Sequence, residues 1–237
     1  MGKQIINLQD EYSDYLNEIF NELVEASKKC TEPDIMSIFK EIEEAGFAYE
    51  QTIKKNSIIW VGIGCAFNNK NKKEASSGEE DLLKDGKGIF IDDKHKEKFQ
   101  YYQSISKFFS EIEQEQEYST LDLTSLRITD QDKIKKILKM DFFVKYFNKN
   151  IDLFKKVIQQ VKPKMIIIGN AFVRDELQNR YIFEFNEKRH CWFCKDILPI
   201  KDIPVFFTSM LSGQRALDIG SRELLKSVVK YNLKISK

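Results

Sequence analysis

The stretch SIIWVGIG at residues 57–64 decides the fold, because it is a short, continuous apolar run that ends in glycines. Such a run is typical of a strand that is buried on both faces, as in a parallel sheet. Three further segments predict strands of the same kind, at 121–126, 164–168 and 203–207. Apolar residues at helical spacing predict helices between and after these strands, at 99–117, 130–161, 171–178 and 220–232.

Strands that alternate with helices indicate βαβ units and a parallel sheet with right-handed crossovers. We therefore predict an α/β fold of three layers (α/β/α) with a central, mostly parallel four-stranded sheet. Residues 181–198 alternate in a different pattern and predict a small inserted β-hairpin. An N-terminal helical pair in residues 1–56 and an α/β core in residues 57–237 make up a single predicted domain, 1–237. Residues 68–96 predict a long loop.

The composition indicates a soluble globular protein, with 42% hydrophobic and 32% charged residues. The longest apolar runs are far shorter than the roughly 18 residues of a membrane span. The four cysteines are scattered and the first residues lack a secretory signal pattern, so we expect a cytoplasmic protein with reduced thiols and no membrane partner. A net charge of +1 does not indicate a strong nucleic-acid binder, although it leaves room for a local basic face.

Any ligand site is expected at the carboxyl ends of the predicted strands. In an open α/β sheet, ligands bind in the crevice outside those ends. The segments concerned are 62–69, 122–127, 169–171 and 208–215. The glycines at 62 and 64 alone do not make a dinucleotide-binding loop, because Phe67 stands where the third glycine of that fingerprint belongs.

In order and spacing, these segments resemble the motifs of the uracil-DNA glycosylase superfamily over residues 57–232. WVGIGCAFN at 60–68 looks like the superfamily's first motif, in which a strand ends in Gly-Ile-Asn-Pro. LDLTSLR at 121–127 resembles the strand that carries a base-reading asparagine, and PKMIIIGNA at 163–171 is similar to the strand and turn before the late helix. The segment 203–215 resembles the last strand and its His-Pro-Ser loop, most of all in a little-characterised bacterial branch.

The resemblance implies a DNA-repair hydrolase that takes part in base excision. Enzymes of this superfamily cut the N-glycosidic bond of a damaged or deaminated base after flipping it out of the DNA stack. Such a pocket needs an aromatic face for the base, polar groups for its edge, a group that positions water, and a wedge that fills the duplex. The partner implied is DNA, with no cofactor and no metal. The oligomeric state stays open.

The resemblance also assigns individual residues. It gives the base-stacking ring to Phe67. It places the other substrate-binding positions at Gly62, Gly64, Cys65, Asp122, Asn170 and Ser209. It places the DNA contacts at Ser212, Gly213, Gln214 and Arg215. Small hydroxyls and backbone N–H groups bind phosphates, and a longer side chain fills the gap that the flipped base leaves.

Two departures from the superfamily pattern concern catalysis. Gly64 stands where the first motif has Asn or Asp, and Cys65 stands at its proline. Glycine has no side chain to hold a water, so the candidate catalytic residues are Asn68 and Asn69, whose amides lie on the same loop. No histidine stands in the second motif. A catalytically inactive nucleic-acid-binding relative, or an unrelated small-molecule α/β enzyme, therefore stays an alternative.

Asp122 stands near the position of the base-reading asparagine. An amide both donates and accepts hydrogen bonds, whereas an ionised carboxylate only accepts them. We therefore expect Asp122 either to favour a base that carries an amino group or to stay protonated.

The pair Cys191 and Cys194 has the spacing of a metal or redox motif. A structural zinc needs four ligands, and no second pair lies near in sequence. We expect no metal here.

Overall fold

The computed structural model describes residues 4–64, 88–128, 130–196, 203–213 and 216–235. Within these ranges helices and strands alternate, and the predicted α/β fold is confirmed. The candidate residues Cys65, Phe67, Asn68, Asn69, Gln214 and Arg215 lie outside the described residues.

The N-terminal part contains two helices and three short strands. Its elements are β1 (Ile5–Asn7), α1 (Leu8–Ser27), α2 (Pro33–Ala45), β2 (Phe47–Glu50) and β3 (Thr52–Lys54). Asn7 caps α1, because its side chain accepts hydrogen bonds from the backbone N–H groups of Gln9 and Asp10. Gly46, at φ +66°, ends α2 and turns the chain into β2, so the segment 1–56, predicted as a helical pair, also contains strands.

The rest of the chain builds the main sheet and the helices around it. The elements are β4 (Ile58–Gly62), β5 (Gly88–Ile91), α3 (Asp93–Glu97), α4 (Gln100–Glu111), β6 (Tyr118–Asp122), α5 (Gln131–Ile137), α6 (Asp141–Val161), β7 (Met165–Ile168), α7 (Ala171–Arg180), β8 (Phe183–Asn186), β9 (Cys191–Cys194), β10 (Val205–Phe207) and α8 (Ile219–Ile235). The loop predicted at 68–96 is too long, because β5 pairs in parallel with β2 and α3 follows it.

The main sheet is six-stranded and mixed, in the order β6-β4-β7-β10-β9-β8. Strands β6, β4, β7 and β10 pair in parallel, and β9 pairs antiparallel with both β10 and β8. The predicted sheet of four strands is therefore too small. The hairpin that the sequence predicts as an insertion joins the sheet instead, because Trp192 of β9 pairs with Val205 of β10.

Apolar side chains pack on both faces of this sheet. Successive residues of a strand point to opposite faces. Ile59 and Val61 belong to a core that includes residues of α1, α2, α6 and α7, whereas Ile58 and Trp60 belong to a second core with residues of α4 and α8. A Cβ atom at Gly169 would overlap the Trp60 indole, so only glycine fits beside that ring. Because helices cover both faces, the strand ends are left as the place for chemistry.

Candidate functional site

The carboxyl ends of the four parallel strands form a row along one edge of the sheet. Gly62 of β4 is paired with Asp122 of β6, and Val61 is paired with Ile168 of β7. The backbone N–H of Thr208, just after β10, donates to the Ile168 carbonyl at 2.9 Å. The described parts of the four segments that the sequence singles out therefore begin side by side at this edge.

Gly62 makes room for two polar groups. A Cβ atom at this position would lie well inside van der Waals contact with Oδ1 of Asp122, and 2.5 Å from the hydroxyl oxygen of Tyr101 in α4. The Asp122 carboxyl and the Tyr101 hydroxyl are therefore neighbours above the end of β4. The candidate Gly62 acts by its lack of a side chain.

Gly64 is confined in a similar way. A Cβ atom there would lie 2.5 Å from the carbonyl oxygen of Leu126 and 3.1 Å from Oγ1 of Thr124. The Thr124 hydroxyl also donates to the Ile63 carbonyl at 2.7 Å, which fixes this turn. An Asn or Asp at position 64, as in the first motif of the superfamily, does not fit this backbone.

Asp122 is a buried acid, with 5% of its surface exposed. Burial raises the pKa of its carboxyl well above the ordinary value, and the negative charge of Glu50 raises it further, while Lys96 opposes the rise. The environment thus favours the neutral carboxyl. A protonated carboxyl donates one hydrogen bond and accepts others, which is the pattern of an amide.

Glu50, at the end of β2, lies beside this acid and is held on both of its oxygens. Oγ1 of Thr120 donates to Oε1 at 2.6 Å, and Nζ of Lys96 lies 2.6 Å from Oε2. Burial raises the pKa of the Glu50 carboxyl, whereas Lys96 and the Thr120 hydroxyl limit the rise. Burial alone would lower the pKa of Lys96, but Glu50 reverses that effect and the net change is upward.

These partners were missed by the sequence-based assignment. Glu50 follows a helical pattern, and Lys96 falls within the segment predicted as a loop. Their pairing depends on β2 and α3 meeting beside β6, and neither element was predicted. Thr120 precedes the strand predicted at 121–126, and the sequence pattern places Tyr101 in a predicted helix without indicating a role in the site. The alternation of Thr120 and Asp122 was the one available signal, since residues two apart share a strand face.

Four other candidates, Asn170, Ser209, Ser212 and Gly213, lie on the segments after β7 and β10. Asn170 is buried, and its Oδ1 accepts the backbone N–H of Val173 at 3.2 Å, so it caps the N-terminus of α7. Ser209 is exposed on the segment after β10. Ser212 is half-buried, and Gly213 is exposed at φ +87°, in open space. Ser209 and Gly213 are thus accessible to solvent, and Ser212 is partly so.

The tip of the β8–β9 hairpin, residues 187–190, extends toward the same edge. β8 runs parallel to β10, since each is antiparallel to β9, so the turn after β8 lies beside the end of β10. The rings of Phe185 and Trp192 are 5.2 Å apart, and Trp192 is 5.8 Å from Phe207. Phe185 is exposed, so an aromatic strip borders the row of strand ends.

The two cysteines of the hairpin do not form a metal or redox pair. Cys191 and Cys194 are both buried, and they belong to different cores on opposite faces of the sheet. Among the residues that the structure describes, no group of three or more His, Cys, Asp or Glu side chains is placed to hold a metal ion.

A polar cavity of about 620 Å³ lies beside the amino-terminal half of β6. It is lined by residues of β3, α3, α4 and β6, among them Lys96, Tyr102 and Thr120. Lys96 and Thr120 are the two residues that hold Glu50. Asp122, Asn170 and Ser209 do not line it, so this cavity is separate from the row of strand ends.

No helix within the described part of the chain is long and apolar enough to cross a membrane. Comparison with known proteins finds no family model that matches the chain, and no curated protein or solved structure that is significantly similar to it. The chemistry of the strand ends is therefore the basis for a functional assignment.

Proposed function

We propose that this protein is a uracil-DNA glycosylase-like hydrolase that binds a flipped, deaminated base at the carboxyl ends of β4 and β6. The observation that carries the proposal is the Asp122 carboxyl, buried over Gly62 and kept toward its neutral form. In that form it accepts a hydrogen bond from N3–H of uracil and donates one to O4. The protonated alternative for Asp122 is thus the one that its surroundings favour.

The reaction would be hydrolysis at C1′ of the deoxyribose. A water adds its oxygen to C1′, and the N-glycosidic bond breaks with its electron pair leaving on the base nitrogen. The water gives up a proton and the departing base takes one up, so the products are a free base and an abasic site. Asn68 and Asn69, on the segment that follows β4, remain the candidates for holding this water. Ser209, Ser212 and Gly213 would meet the DNA backbone, as would Gln214 and Arg215.

A second candidate function is a catalytically silent nucleic-acid-binding relative with the same base pocket. The confined position of Gly64 favours it, because the carbonyl of Leu126 leaves no room for the side chain that holds water in the first motif. Such a protein would bind DNA with salt-dependent affinity and leave the glycosidic bond intact.

The test is a panel of single- and double-stranded oligonucleotides that contain uracil, hypoxanthine or xanthine. The wild-type protein should leave alkali-labile abasic sites in uracil DNA. Asp122→Asn should retain part of this activity, since an amide keeps the donor and the acceptor, whereas Asp122→Leu should lose it. Asp132→Asn, at an exposed carboxylate of α5, is the matched control and should behave as wild type.

The outcomes separate the candidates. Salt-dependent binding without cleavage, sensitive to Asp122→Leu, would support the silent relative. Neither cleavage nor binding with any oligonucleotide would reject both and leave a small-molecule α/β enzyme.

A further inference from the structure

Glu50, Thr120 and Asp122 form a continuous polar cluster on one face of β6. Thr120 and Asp122 are two residues apart, so their side chains point to the same face of the strand. The Thr120 hydroxyl is bonded to Glu50, and the Asp122 carboxyl lies next to the Tyr101 hydroxyl of α4. Glu50 is 1% exposed, so water screens little of the interaction between the two acids.

Among the residues that the structure describes, the charged and titratable groups around Asp122 come from three elements. Strand β2 contributes Glu50 and Tyr49, a short helix contributes Lys96, and α4 contributes Tyr101. Tyr49 is buried, and burial raises the pKa of its phenol, with Asp122 and then Glu50 adding to the rise. Lys96 is therefore the one nearby cation among these groups.

That cation is already engaged. Nζ of Lys96 lies 2.6 Å from Oε2 of Glu50, and its other anionic neighbour is Asp93, at 3.9 Å with an exposed carboxylate. Lys96 still lowers the pKa of Asp122, but the negative charge of Glu50 raises it by more, so the pair as a whole favours the neutral carboxyl. Asp122 thus meets a neutralised pair, where a free lysine would favour its ionised form.

We propose that Glu50 is a positioning residue for the base-reading carboxyl: by pairing with Lys96 it offsets the charge of that cation, and so helps burial to keep Asp122 in the hydrogen-donating form that a base with a 4-carbonyl group requires. The ligand part of this inference rests on the proposed function. The coupling between the two carboxyl groups does not.

Removing the charge of Glu50 should therefore weaken the binding of a base with a 4-carbonyl group. In Glu50→Gln, the negative neighbour disappears and Lys96 loses its partner, and both changes favour ionised Asp122. An ionised carboxylate only accepts hydrogen bonds, so it suits an exocyclic amino group and repels a carbonyl oxygen. The variant should lose affinity for uracil DNA at neutral pH, because the ionised carboxylate of Asp122 cannot donate to O4 of the base.

The coupling is measured directly by NMR titration of the aspartate carboxyl carbons in the full chain, with the Asp122 signal assigned by its absence in Asp122→Asn. The Asp122 midpoint in Glu50→Gln should fall by about one pH unit or more. Glu117→Gln is the matched control, because Glu117 is also ion-paired, with Lys164 at 2.7 Å, at the start of the same strand. It should leave the midpoint in place.

The double variant Glu50→Gln, Lys96→Met removes both charges and should return the midpoint toward the wild-type position. An unchanged midpoint in the folded single variant would overturn the proposal. If that variant does not fold, Lys96→Met decides: the Asp122 midpoint should rise, because Glu50 then acts on Asp122 without its counter-charge, and a midpoint that stays or falls overturns the proposal.

The two proposals fail in different ways. A lowered midpoint with no DNA binding by any variant would keep the coupling between Glu50 and Asp122 and reject the glycosylase function. DNA binding by the wild type with an unchanged midpoint would reject the role of Glu50 alone.

Discussion

At the scale of single residues, Gly62 matters because of what takes the place of its side chain. The Asp122 carboxyl and the Tyr101 hydroxyl occupy the space that a Cβ atom would need. Gly62→Ala should therefore force one of them to move and lower the free energy of unfolding by about 1–3 kcal/mol, as overpacking in a core does. Urea denaturation followed by circular dichroism measures this change.

Gly220→Ala is the control for that substitution. Gly220 lies in α8, and its added Cβ atom would meet only Oδ1 of the exposed Asp218, at 3.3 Å. Alanine in this first turn should change the free energy of unfolding by less than about 1 kcal/mol. Equal stability of Gly62→Ala and wild type would show that the Asp122 carboxyl does not need the glycine.

The buried acid at 122 should also make stability depend on pH. Below the pKa of an unfolded aspartate, both states hold the proton, and the group has no effect. Above it, the unfolded chain releases the proton while the folded chain retains it, because burial raises the folded-state pKa. The free energy of unfolding should then fall by about 1.4 kcal/mol for each pH unit until the raised pKa is reached.

Asp122→Asn removes this contribution. Its stability relative to wild type should rise between about pH 4 and pH 7, as followed by guanidinium denaturation at several pH values. A constant difference across that range would mean that Asp122 titrates normally in the folded protein.

The sequence led to Asp122 and not to its neighbours for a physical reason. A polar residue directly after a buried strand is visible in the pattern, because strand ends are where a parallel sheet meets its ligands. Glu50 and Lys96 reach the same place from an edge strand and from a helix of five residues, Asp93–Glu97. They come together only in the tertiary structure, and the spacing of residues along the chain does not reveal such a contact.

At the scale of elements, α7 depends on the residue that caps its N-terminus. Asn170 caps that helix, and Asn170→Ala should lower the free energy of unfolding by about 1 kcal/mol because the Val173 N–H loses its acceptor. Asn170→Ser keeps a capping oxygen and should restore most of the loss in a urea titration. If Asn170→Ser folds stably and still loses DNA binding, Asn170 contacts the ligand as well.

The positions of the strands were largely predictable, and the exception is informative. Residues 164–168 and 203–207 contain β7 and β10, but the strand predicted at 121–126 is β6, at Tyr118–Asp122. The residues after Asp122 are buried for other reasons. The backbone N–H of Ser125 donates a hydrogen bond to Oδ1 of Asn150, and Leu126 forms an isolated β-bridge with Phe47. A segment that is buried but does not pair in the main sheet thus has the same apolar pattern as a strand.

At the scale of the whole molecule, the size of the sheet was beyond the sequence pattern. The sequence pattern of a hairpin is the same whether the hairpin stands alone or joins a sheet. Only the pairing of β9 with β10 distinguishes the two cases. Thr208 and the hairpin tip become neighbours through that pairing. The aromatic strip of Phe185, Trp192 and Phe207 follows from it too.

The two buried thiols of β9 can show whether the two sides of the sheet unfold together. Because Cys191 and Cys194 belong to cores on opposite faces, each thiol reacts with a labelling reagent only when its own side opens. In a background without Cys30 and Cys65, both should be labelled at the rate of global unfolding, since β9 is paired on both sides. The two thiols are compared in single-cysteine variants at equal thiolate fraction. Faster labelling of one thiol would show that its side of the sheet opens without global unfolding.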